Sequence, residues 1–138
     1  MNDYFAADTS VAVPLLLRTH QAHEAVSRWA ADKVLYLCGH AAVETYSVLT
    51  RLPVGVRASG PEVAQVIDAS FAGVVPLPLN LAASIHHEFA SCGVSGGAAY
   101  DALVALAARE NGLTLATRDL RARGTYEAVG AQVVVLAG

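Results

Sequence analysis

Lysine is all but missing from this chain, with Lys33 the one example among nine basic residues. A P-loop needs a Lys-Ser/Thr ending. The glycine-rich run Gly93-Val94-Ser95-Gly96-Gly97 has none and follows a helical pattern where a strand is required, which argues against a nucleotide cradle. Cysteine is also scarce. Cys38 and Cys92 show neither CxxC spacing nor histidines at zinc-ligand intervals, so a disulfide scaffold and a zinc site are both unsupported and free, buried thiols are expected. Long apolar runs are missing too, despite a mean hydropathy of +0.43. Val11 to Leu17 and Ala102 to Ala108 fall far short of the roughly 20 residues that span a bilayer, so no transmembrane helix is expected. The opening Met1-Asn2-Asp3-Tyr4 places an acid where an export signal carries positive charge, and a cytoplasmic address is expected. The net charge of −3 exerts no global pull on nucleic acid, so any such attraction has to be local. Arg118, Arg121 and Arg123 form the densest positive segment.

What the chain does have is apolar mass. Hydrophobic residues make up 54% of 138 and charged residues 15%, enough for one domain, residues 1–138, with a substantial core. Tyr4 to Ala7 reads as a short buried strand and Ser10 to Arg18 as a helix, with Pro14 tolerable only in a first turn. His20 to Ala31 has amphipathic helical spacing, and Val34 to Cys38 is a strand-length apolar run leading into a helix from Gly39 that Pro53 stops. Val54 to Gly60 reads as a loop, Pro61 as a helix start, Val74 to Leu77 as a strand, and Asn80 as the cap of a helix reaching Cys92. A helix over Ala98 to Asn111, a strand over Leu113 to Ala116, a loop over Thr117 to Gly124, a helical turn over Tyr126 to Val129 and a strand over Gln132 to Leu136 complete the chain. Strands alternating with helices, each connection long enough for a crossover, predict a three-layer α/β domain with a short, mainly parallel central sheet.

Four carboxylates stand where apolar runs begin or end: Asp8, Glu44, Asp101 and Asp119. Buried without partners, each would cost several kcal/mol, so the set calls for a shared cation, basic partners or water. Asp8 and Asp119 directly follow predicted strands and Glu44 lies in the first turns of the helix after one, which puts all three at the carboxyl edge where parallel sheets bind ligands. Asp101 lies near a helix start and shares its face with Val104, Ala105 and Ala108. Simpler roles exist for each: a helix cap for Asp8, a first-turn acid for Asp101, a pair with Arg51 or His40 for Glu44, a turn former for Asp119. Jointly, four acids at one edge favour a hard cation, and an all-oxygen set selects Mg²⁺ or Mn²⁺ over Ca²⁺. His20 and His23 share a helix with Glu24 without the HExxH order, and neighbouring His86 and His87 diverge by about 100° on a helix. These are read as surface or partly packed residues.

Read together, Asp8-Thr9-Ser10, the stretch from Ala42 through Glu44-Thr45-Tyr46 to Pro53, Tyr100-Asp101-Ala102-Leu103-Val104-Ala105 and Leu115-Ala116-Thr117-Arg118-Asp119 resemble the PIN-domain ribonucleases, specifically the VapC-type toxins of toxin-antitoxin pairs. The resemblance covers nearly the whole chain in order and spacing, but Val54 to Ser95 carries little of it. It implies a PIN-like fold and an acidic pocket of Asp8, Glu44, Asp101 and Asp119, with Asp8 and Asp101 foremost as direct metal ligands and Thr117 supporting through its hydroxyl. It also implies a Mg²⁺-dependent endoribonuclease, a homodimer, and a cognate antitoxin that inserts a peptide, often arginine-bearing, into the acidic groove. Arg118, Arg121 and Arg123 are then candidates for the RNA backbone. Two other functions use similar acids: a catalytically quiet interaction module, and a receiver-like phosphoacceptor, which would want a late lysine. A haloacid-dehalogenase-like phosphatase would need an acid at the position of Ser10.

Overall fold

The computed structural model describes residues 3–137. Five strands, β1 (Tyr4–Ala7), β2 (Val34–Cys38), β3 (Gly73–Val75), β4 (Thr114–Thr117) and β5 (Val133–Val135), form one sheet in the order β3-β2-β1-β4-β5. Every pairing is parallel, so the sheet is wholly parallel where a mainly parallel one was expected. The chain builds outward from β1 through β2 to β3, then returns to the other side of β1 with β4 and β5. That reversal opens a crevice beyond the carboxyl ends of β1 and β4, the switch point at which such sheets bind ligands.

Eight helices make the outer layers of the three-layer α/β architecture: α1 (Thr9–Leu16), α2 (His23–Ala30), α3 (Gly39–Thr50), α4 (Gly60–Ser70), α5 (Leu79–Ala83), α6 (Ile85–Ser91), α7 (Ala98–Glu110) and α8 (Leu120–Ala128). Small residues let the layers approach closely. Ala6, Ala7 and Ala116 on the central strands, and Ala102, Ala105 and Ala108 on α7, are fully buried beside Val11, Leu37, Leu106 and Leu115. Helix α7 packs against β2, β4, α3 and α8, and so carries Asp101 over the middle of the sheet.

Several predicted elements differ. Pro14 lies inside α1, beyond its first turn. The expected Asn80-capped helix to Cys92 is two short helices broken at Ser84. Pro78 occupies the cap position of α5, and the Asn80 carbonyl accepts a hydrogen bond from the Ser84 hydroxyl. The loop predicted from Thr117 to Gly124 is instead the end of β4, Asp119 as N-cap, and the first half of α8, which runs on through Tyr126. Ser59 caps α4 in a reciprocal box with Glu62, a signal present in the sequence as Ser-x-x-Glu. No helix among the described residues is long and apolar enough to cross a membrane. Cys38 is buried, Cys92 half-buried, and both are free.

Candidate active site

Asp8 is the first residue after β1 and the N-cap of α1, and it is 4% exposed. Its Oδ1 accepts from the Ser10 hydroxyl at 2.6 Å and from the Val11 amide at 3.2 Å, and its Oδ2 accepts from the Tyr126 hydroxyl at 2.8 Å. The capping role anticipated as an alternative is thus real, yet it engages only one oxygen. Burial raises the Asp8 pKa above the usual carboxylate value, opposed by hydrogen bonds from Ser10, Thr117, Tyr126 and Val11. Cys38, at the end of β2, has its thiol pushed up to about 12 by burial and by the Asp8 charge, which leaves it an unreactive thiol.

Asp119 follows β4 as Asp8 follows β1, and it likewise caps a helix: its Oδ1 accepts from the Arg121 amide at 3.0 Å. Thr117 is fully buried, and its Oγ1 accepts from the Asp119 amide at 3.0 Å and lies 3.3 Å from the Ser10 hydroxyl. Ser10 ties the two strand ends together, because its Oγ also accepts from the Arg118 amide at 2.7 Å. Glu44 reaches in from α3, with its Oε1 3.8 Å from His40 Nε2. Arg51, the other partner considered for it, instead donates to Ser47. Asp101 extends from the first turn of α7.

The four predicted acids therefore line one cleft of about 100 Å³, together with Thr9, Ser10, Val104 and Tyr126. Their proximity shows electrostatically. The Asp101 pKa is raised, first by burial and then by the negative charges of Asp119, Glu44 and Asp8, with His40 opposing weakly. The cleft thus carries an excess of negative charge, met only at its margin by Arg121 beside Asp119 and by His40 beside Glu44. Among the described residues no three acidic, histidine or cysteine side chains are close enough to make a ready-built metal cage. The donor set nevertheless suits Mg²⁺, which keeps several waters and takes one or two carboxylates plus phosphate oxygens. Asp8 and Asp101, which line the same cleft with Glu44 and Asp119, are the residues that could hold such an ion.

The arginines separate. Arg118 is half-buried and turned back toward α1, where Nη1 donates to the Ser10 carbonyl at 3.4 Å. Pro14, four residues on, has no N–H to claim that carbonyl, so the proline inside α1 leaves an acceptor open for Arg118. Arg121 is 94% exposed beside Asp119, and Arg123 is exposed and pairs with Glu127. Sequence reasoning missed Ser10 and Tyr126 as site residues. The first sits two places after Asp8. The second lies seven residues after Asp119, two helical turns along the same face of α8, where its ring is 2% exposed. Burial, and then the charges of Asp8, Asp101 and Asp119, push the Tyr126 phenol up, so it remains a donor.

A model of the PIN domain matches residues 6–128, spanning all four acids. The chain belongs to the PIN-domain family. Within this family it is 50% identical over 137 residues to Ribonuclease VapC27 of Mycobacterium tuberculosis, an alignment covering 99% of this chain and all of that protein, which places it in the VapC branch. Among solved structures it is similar to M. tuberculosis VapC20, described as a sarcin-ricin loop cleaving toxin, with a TM-score of 0.68 at 19% identity over 92% of this PIN domain and 95% of that chain. It is also similar to DNA-bound VapBC from Salmonella typhimurium, with a TM-score of 0.66 at 16% identity over 98% of both chains. At those identities the two structures attest the fold.

Proposed function

We propose that this VapC-type PIN domain is a Mg²⁺-dependent endoribonuclease acting as the toxin of a toxin-antitoxin pair. The observation that carries the reading is the convergence of Asp8, Glu44, Asp101 and Asp119, from four separated segments, on one cleft at the sheet's switch point. When bound, Mg²⁺, or Mn²⁺ in its place, supplies a polarised phosphate oxygen and a water of lowered pKa for in-line attack on the scissile phosphorus. Asp8 and Asp101 would hold the ion, and Glu44 and Asp119 would complete the negative field that retains it and help to orient the attacking water. Thr117 and Ser10 keep the two strand ends in register, and Arg121 and Arg123 on the exposed face of α8 meet the RNA backbone. Arg118, engaged with Ser10, contributes to that face through its position more than through a free guanidinium. The products are a 5′-phosphate and a 3′-hydroxyl.

The purified chain, given total bacterial RNA, should cut when Mg²⁺ is added and stop when EDTA removes it, and Asp101→Asn should abolish cutting. Cleavage persisting in EDTA, or in Asp101→Asn, would sink the assignment.

The same cleft suits a second occupant. An acidic groove attracts a guanidinium fork as it attracts a cation, and we infer that a cognate antitoxin silences the site by inserting an arginine-bearing peptide. The receiver-like alternative loses ground on geometry: Lys33 precedes β2, at the opposite edge of the sheet, where its Nζ bonds the Trp29 carbonyl and Asp32. A homodimer accords with the exposed apolar side chains of Val43 on α3 and Tyr100 on α7.

A further inference from the structure

Two anchors of Asp8 belong to its own segment. Ser10 and Val11 both hold Oδ1, and Ser10, which also accepts from the Arg118 amide and lies 3.3 Å from Thr117 Oγ1, ties that one oxygen to the end of β4. The third anchor comes from the far end of the chain, 118 residues away: the Tyr126 hydroxyl holds Oδ2 at 2.8 Å from inside α8, the helix that Asp119 caps. Tyr126 is therefore the point at which the helix beginning at Asp119 is pinned to the carboxylate following β1. An aspartate's terminal torsion is broad, and a carboxylate held on one oxygen leaves the other with no fixed relation to the body of another helix. The hydroxyl adds that relation and withdraws charge from Oδ2.

Resting on the metal-dependent reading above, we propose that Tyr126 is a positioning residue of the acidic site: its hydroxyl sets the geometry between Asp8 and the Asp119-bearing helix, and with it the affinity and productive placement of the divalent ion. The phenol is two turns below Asp119 on one helix face, so α8 acts as a rigid arm with an acid of the site at its start and a clamp in its middle. Sub-ångström ligand placement is what metal sites demand of the groups behind them.

The test uses the full chain and Tyr126→Phe, which keeps the buried ring and removes the hydroxyl. Mn²⁺ affinity is measured by electron paramagnetic resonance, thermal stability with and without Mn²⁺, and cleavage of total bacterial RNA at saturating metal. Tyr126→Phe should bind Mn²⁺ about tenfold more weakly or worse, show a smaller Mn²⁺-induced rise in Tm than the parent chain, and lose kcat more than it gains in KM. A purely structural hydroxyl would lower Tm equally with and without the ion and leave affinity alone. That outcome, or parental affinity with parental kcat, overturns the inference. Should the variant not fold, the parent chain labelled with 3-fluorotyrosine decides. Mg²⁺ should shift one fluorine resonance that survives each of Tyr4→Phe, Tyr36→Phe, Tyr46→Phe and Tyr100→Phe, and the absence of such a shifted resonance overturns the proposal. A parent chain that takes up no Mn²⁺ and cuts no RNA overturns the proposed function as well, whereas a metal-binding parent with an indifferent Tyr126→Phe overturns this inference alone.

Discussion

Asp101 bears the sharpest conflict in the molecule, a half-buried anion facing three others. Its pKa in the folded chain lies above the ordinary aspartate value, so the native state holds that proton more tightly than the unfolded state does. The resulting stabilisation is fully present below the unfolded value and is lost as pH climbs through the raised folded value. Asp8 shifts in the same direction. The metal-free chain should therefore melt at progressively lower temperature as pH rises from about 4 through the window just above ordinary carboxylates. Asp101→Asn should flatten that slope and melt at an equal or higher temperature, and added Mg²⁺ should restore what the parent loses. Thermal melts in EDTA across pH check this, and a slope unchanged by Asp101→Asn would refute it.

At the scale of single elements, α3 carries an unpaid polar group. Thr45 is fully buried, and its Oγ1 has no hydrogen-bond partner. Replacing it by Val keeps the shape and removes the stranded hydroxyl, so Thr45→Val should gain about 1 kcal/mol in a denaturant titration. A loss of similar size would show that the hydroxyl has a use. Elements of this kind were legible in the sequence to differing degrees. The β2 bounds and the start and stop of α3 followed from a contiguous apolar run and from Pro53, local signals that tertiary contacts had no cause to override. The first half of helix α8 was not legible, because Arg121, Arg123 and Gly124 break the apolar stripe, leaving Ala122 and Tyr126 as the helix's buried contacts. Reading Thr117 to Gly124 as a loop, with a separate helical turn from Tyr126, left Tyr126 without its place on the helix that Asp119 caps. The four acids were legible because apolar flanks make an anion conspicuous. Ser10 was not, because a serine after an N-cap looks ordinary until the partner segment 108 residues away is brought beside it.

For the molecule as a whole, the charge distribution sets the conditions of binding. With a net charge of −3 and an acidic cleft, the proposed function leaves only the metal and a few exposed arginines to hold RNA. Complex formation should therefore weaken as salt is raised, since each phosphate contact releases counterions. Filter binding of RNA to Asp101→Asn in Mg²⁺ at increasing ionic strength checks this, and a flat response would show that the arginines of α8 are not engaged. The apolar surface near Val43 and Tyr100 leads to a second expectation at this scale, a dimer mass in light scattering of the isolated chain, with a monomer mass counting against the homodimer.

The Tyr126 to Asp8 hydrogen bond joins positions 118 residues apart, and that separation has a temporal meaning. During synthesis Asp8 leaves the ribosome first and waits on the order of ten seconds for α8 at ordinary elongation rates. Throughout that interval β1 has neither β4 as a neighbour nor a phenol to satisfy its carboxylate, and no partial chain contains a finished cleft. By this arrangement the site would be absent from every partial chain and become competent only once α8 has been made.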